Sequence, residues 1–265
     1  MKPLLYQWHA DPFVLLLVLA LIYLHCRLSG PVPAKKHFFF WTAIGLILIT
    51  TCSPLHFLGM QVYFSAHMII HVILLLIAGP LLVMSIRPTL SPVILKEISV
   101  FLHKRAWLAW LAAVGTMWYW HIPSVFDASV AGMDGFTIMH LLHTGSMLLA
   151  GMLFSWPLLG PFPEMRIHPL SGIIYLFTAC ISCSLLGLLI TFAPIHTFHL
   201  YLGSGSSMKG MAYSPWGLTS AADQQAAGLI MWVPCCFVYL SGCLYLLHRW
   251  FTAPVSLTLS ITKHE

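Results

Sequence analysis

From Phe64 to Ile86 the chain carries no Asp, Glu, Lys or Arg, and its second half, VILLLIAGPLLVMSI, is almost continuously apolar. At 1.5 Å of rise per residue a helix over this stretch crosses a bilayer's hydrocarbon, roughly 30 Å thick. Such a run is a membrane span. It does not stand alone, because hydrophobic residues make up 59% of the sequence and charged ones 7%, against about 25% charged in a soluble domain. We therefore expect one integral membrane domain over residues 1–265, all-α, with no removable signal peptide at its start.

Taken in order, the apolar runs predict spans at about 12–29, 38–58, 64–86, 106–122, 136–159, 170–194 and 225–250, a seven-transmembrane-helix bundle. Pro54 is expected to bend the end of the second. Between the third and fourth, SPVILKEISVFLHKR has the pattern of a short amphipathic helix at the membrane surface. After the sixth comes a long Gly/Ser-rich connection holding His196, His199, Met208, Lys209 and Met211. Of the twelve Lys and Arg residues, only Lys2 and Lys209 fall on the side of the N-terminus. The positive-inside rule then places the N-terminus outside and the C-terminus in the cytoplasm. The net charge of +5 is a topology signal of this kind; single basic residues between apolar runs make no stripe for nucleic acid.

With that orientation, His9, His56, His67, His71, His121, His140, His143, His196 and His199 gather on or near the outer side. His67 and His71 are four residues apart, so their imidazoles leave one helix face a turn apart, half of a metal site. His121 ends WYWH at the fourth span, and His140 and His143 open the fifth three residues apart. A single histidine at a span end, such as His9 or His56, is adequately explained by an interfacial position with its polar edge wet. Repetition on separate spans favours a site, because ionisable groups inside a membrane are costly and mark function. Asp223 with Gln224 reads equally well as a site pair or as the first-turn acid and cap of the last span.

Sulfur needs the same weighing. Thirteen methionines in an apolar bundle are mainly packing, yet Met60, Met68, Met133, Met139, Met208, Met211 and Met231 lie toward the outer side, and thioether suits Cu(I). Cys180 and Cys183 have the CxxC spacing but lie mid-span, where Cys is ordinarily a small apolar residue. The seven cysteines nearly all fall in apolar runs, which argues against a disulfide framework.

The segments SPLHFLGMQVYFSAHMIIHVILLLIAGPLLVM, WYWHIPSVFDA, GMLFSWPLL and DQQAAGLIMWVP resemble the motifs of the CtaG-like family of multi-span cytochrome c oxidase assembly factors, from about residue 53 to residue 250. The resemblance implies a non-enzymatic role in the bacterial plasma membrane, maturing a haem-copper oxidase by delivering copper to it. Outer-compartment copper carrier proteins would then be partners alongside the oxidase subunits. It also implies that family roles fall on His67, His71, His121 and Asp223, with His140 or His143 next and Met231 in the last motif. The donor types agree, since imidazole with thioether binds Cu(I) and permits exchange between partners. Two rival readings are a haem-binding redox protein, which would use histidines facing across the bundle, and a metal transporter, which would need polar residues continuing inward. No nucleophile with its base, phosphate loop or paired catalytic carboxylates is present to suggest hydrolysis or phosphoryl transfer.

Overall fold

The computed structural model describes residues 8, 11–28, 33–87, 93–131, 138–194, 197–198 and 217–252. His9, Met133, His196, His199, Met208, Lys209 and Met211 lie outside the described residues, as do both chain termini. Among the described residues all regular structure is helical: α1 (Pro12–Leu28), α2 (Ala34–Cys52), α3 (Pro54–Gln61), α4 (Phe64–Ser85), α5 (Val93–Lys104), α6 (Ala106–Trp120), α7 (Pro123–Ala131), α8 (Ile138–Leu159), α9 (Pro169–Phe192) and α10 (Ser220–Phe251).

Four of these helices, α4, α8, α9 and α10, are long and apolar enough to cross a membrane, and a fifth span arises if α2 and α3 are taken together across their 49° bend. The chain is thus an all-α membrane protein. The bend falls where Pro54 was expected to act: Ser53 is extended, and its hydroxyl accepts the Leu55 amide to cap α3. α1 is a shorter apolar helix, and α6 has 15 residues. The surface segment between the third and fourth apolar runs forms α5, as its amphipathic pattern requires.

α4 is not uniform. Residues Ile73–Ala78 widen into a π-helix, closed by the Gly79 amide bonding back to the Leu74 carbonyl. Pro80 explains the position, because its ring would collide with the carbonyl four residues earlier in a regular helix, and the wider turn relieves that clash. Here α8 comes close: a Cβ on Gly151 would lie 2.4 Å from the Leu75 carbonyl oxygen, so only glycine permits the approach. A second close approach joins α9 to α10, where a Cβ on Gly228 would meet the Gly187 carbonyl oxygen at 2.6 Å.

The C-terminal end of α9 and the N-terminal ends of α10 and α4 are tied by polar side chains. Gln224 donates from Nε2 to the carbonyls of Ile190 (3.0 Å) and Ala193 (2.7 Å), satisfying groups that the end of α9 leaves open. The neighbouring Asp223 accepts the Phe64 amide at 2.7 Å and the Ser65 amide at 3.1 Å, together with the Ser65 hydroxyl. A carboxylate from the last helix therefore caps α4, complementing the positive end of its dipole. Thr219, whose hydroxyl accepts the Ala222 amide, caps α10 itself. Because the Asp223 cap is buried, Asp223→Ala should lower stability by about 1–3 kcal/mol. Asp223→Asn, which retains an acceptor, should fall between the two. Thermal unfolding of the detergent-solubilised protein checks the order, and an Asp223→Ala protein as stable as the parent would remove the cap from this account.

Candidate metal centre

Phe64, held by Asp223, sets the depth of the two histidines that follow it on α4. His67 and His71 lie on one face, with ring centroids 4.5 Å apart, and both are fully buried. α8 supplies the third ring, His143, whose Nε2 is 2.9 Å from the Nε2 of His71 and whose centroid is 5.4 Å from that of His67. One nitrogen from each of these three histidines can be chosen so that all lie within 4.8 Å of one another. Nitrogens bonding a shared ion at about 2.0–2.1 Å would sit about 3.3–4.1 Å apart, so small rotations suffice.

The surrounding contacts orient the ligands. His67 Nδ1 lies 3.2 Å from the Gly59 carbonyl, which can only accept, so Nδ1 carries the proton and Nε2 the lone pair. The same logic applies to His121 at the end of α6, where Nδ1 donates to the Met117 carbonyl at 2.6 Å. Its Nε2 then faces the Met68 sulfur at 3.3 Å, one lone-pair donor opposite another. A cation between or beside two such acceptors relieves their mutual repulsion, and an imidazole with a thioether is a Cu(I)-like pair. The His121 ring stands 5.0 Å from that of His71, which joins this pair to the cluster. Among the described residues His71 Nδ1 has no hydrogen-bond partner although it is buried.

Aromatic walls keep water out. Phe126 packs edge-on against His67 at 5.2 Å and against Phe64 at 5.0 Å, and Phe198 closes over both phenyl rings. Trp120 meets His143 at 4.8 Å, fixed by its indole N–H donating to the Ser146 hydroxyl at 2.8 Å. On its far side His121 lines a groove of about 710 Å³ with Trp118, Pro123, Phe192 and Phe198.

The structure separates His140 from His143, which the sequence left as alternatives. His140 pairs with His56 of α3, Nε2 to Nε2 at 2.9 Å, and its Nδ1 is hydrogen-bonded to the Asp11 carboxylate. The other oxygen of Asp11 caps α1 through the Phe13 amide at 2.8 Å. His140 thus belongs to a buried Asp11–His140–His56 chain one turn from the three-histidine cluster. Of the remaining expected site residues, Asp223 uses both carboxylate oxygens on α4, and Met231 is buried on α10 one turn above Cys235. Asp11 was passed over in the sequence although an Asp before a Pro opening an apolar run is a capping signal. Met68 was read mainly as packing, because nothing local announces that it faces His121.

No curated protein and no solved structure matches the chain. A family model does: the cytochrome c oxidase caa3 assembly factor model, Caa3_CtaG, matches residues 15–253. Since that match covers α2 to α10 entire and all but the first turn of α1, the chain belongs to the cytochrome c oxidase caa3 assembly factor family, Caa3_CtaG.

Proposed function

We propose that the protein binds Cu(I) transiently in the outer histidine pocket and passes it to a haem-copper oxidase during that enzyme's assembly. The observation that carries this reading is the convergence of His67, His71 and His143 in a dry pocket, with the His121 and Met68 donors beside them. Neutral imidazole and thioether bring no charge of their own, so a monovalent ion enters the low-dielectric pocket as the sole charge. Three imidazole donors within reach, with the soft Met68 thioether beside them, let one ligand leave while another holds, which transfer between proteins requires. The role is non-catalytic: copper is cargo, received from an outer-compartment copper carrier and delivered to oxidase subunits. The spacing of the three nitrogens suits a single ion better than a haem, whose axial ligands must leave room for a macrocycle between them.

The Asp11–His140–His56 chain supports the pocket from α8, since an imidazole whose Nδ1–H is held by a carboxylate keeps a fixed ring orientation. Asp223 acts on the site by setting the start of α4, and Met231 stands near the level of His71. In this reading the membrane is a bacterial plasma membrane, crossed seven times with the N-terminus outside, α1 and α6 counting as spans.

His67→Ala with His71→Ala should lower the copper carried by the purified protein and leave the oxidase with haem but short of copper, more severely in low-copper medium. Full copper occupancy together with full oxidase activity in that variant would overturn the proposal. His143→Ala should lose copper as well. His140→Gln, which preserves an N–H for Asp11, should retain most of it, and metal analysis of the two proteins side by side checks the partition.

The orientation is tested separately by labelling single engineered cysteines in intact cells. A cysteine at Lys209 should react with an impermeant reagent and one at Lys104 should not; the opposite pattern would invert the topology.

A further inference from the structure

Below the histidine pocket, α9 and α10 each carry two thiols near their interface. Cys180 and Cys183 leave α9 three residues apart on one face, and α10 answers with Cys235 and Cys236. One pair is in direct contact across the interface: Cys180 Sγ is 3.4 Å from Cys236 Sγ. Cys183, Cys235 and Cys180 are buried, and Cys236 is half-buried.

The cluster also sits in register with the outer site. α4 starts at the level of Asp223, so at 1.5 Å per residue His71 lies roughly 10 Å below that level, Met231 roughly 12 Å and Cys235 roughly 18 Å. The Cys183 thiol bonds the Met231 carbonyl at 3.3 Å, which places the thiols one turn beneath that residue.

We infer that Cys180 and Cys236, with Cys183 and Cys235 beside them, form a second, deeper site for a soft monovalent metal ion, Cu(I). The choice of copper rests on the proposed function; the site itself rests on the sulfur geometry. Two sulfurs bonding one ion at about 2.3 Å lie about 3.8–4.6 Å apart, so the Cys180 and Cys236 pair needs to open by about 0.4–1.2 Å. Charge sets the limit on loading. Each sulfur–copper bond that replaces an S–H bond releases one proton, so Cu(I) on one thiolate and one neutral sulfur leaves no net charge, and on two thiolates leaves one negative charge. With two sulfurs in contact, the site suits the low coordination numbers of Cu(I) better than the four-coordinate geometry of a divalent ion such as Zn²⁺. Copper arrives and stays as Cu(I), so no electron is transferred. Ser184 Oγ donates to the Cys180 carbonyl at 2.8 Å and stands 3.3 Å from Cys236 Sγ, so its hydroxyl would reach the resulting thiolate by rotating away from that carbonyl.

The test uses the reduced full-length protein in detergent, with Cu(I) alone as the probe. Alkylation by a membrane-permeant maleimide is read at each cysteine by mass spectrometry, with and without the metal. Cu(I) should slow alkylation of Cys180 and Cys236 severalfold while exposed Cys26 reacts as before, and the same protection should persist in the His67→Ala, His71→Ala background. Cys180→Ala with Cys236→Ala should lower the copper-to-protein ratio against a competing chelator without abolishing binding at the histidines. Equal alkylation with and without Cu(I), an unchanged copper ratio in the cysteine variant, or protection that vanishes with the histidines would each overturn the second site. Undiminished copper in the His67→Ala, His71→Ala protein with the thiol protection intact would instead count against the histidine pocket alone.

Discussion

The depth of the histidine pocket depends on one carboxylate. Asp223, from α10, grips the first two amides of α4, so the start of the helix bearing His67 and His71 is fixed by a residue 159 positions later in sequence from Phe64. The first amides of any helix lack partners, and in a membrane's outer region they can look only to water, side chains or lipid headgroups. By meeting them with a buried side chain the fold dispenses with water at this point. Everything above the pocket can then be aromatic, and Phe64, Phe126 and Phe198 close over the histidines without stranding a polar backbone group of α4.

Inside that shell, hydrogen bonds to carbonyls and a carboxylate decide which nitrogen of each ring is available. Gly59 takes the Nδ1 proton of His67, Met117 that of His121, and Asp11 that of His140. These are acceptors on different elements, and each turns an Nε2 toward a neighbouring donor. α8 divides its two histidines between α3 and α4, which makes it the strut linking the three-histidine cluster to the buried Asp11 chain.

Much of this was written locally. The i, i+4 spacing of His67 and His71 gave their shared face, the uncharged run after them gave α4, Pro54 gave the bend after α2, and the alternation in SPVILKEISVFLHKR gave α5. The division of His140 from His143 was not available from spacing, because residues three apart on a helix diverge by about 60° and either could face α4. Only packing against His56 and Asp11 separates them. Asp223 shows the same boundary: its own stretch reads as the first turn of α10, which it is, while its action on α4 depends on a contact that no local pattern encodes. The thiols follow suit, for CxxC marks one helix face and says nothing of Cys235 and Cys236 opposite. A count of spans is hardest of all, since α1 and α6 are short and α2 with α3 bends, so length alone does not decide which helices cross.

The π-turn at Ile73–Ala78 has a consequence for comparing chains of this kind. A π-segment is an α-helix with one residue inserted, so the residues before it and after it follow two helical phases offset by about 100°. The histidine face above and the Gly79 contact with Gly151 below are therefore not on one continuous stripe, and a single helical wheel drawn through Phe64–Ser85 misplaces one of them. A related sequence one residue shorter in this stretch would return to ordinary α-geometry while keeping both faces where they are. A gap there in an alignment would mark a change of winding and not the loss of a site.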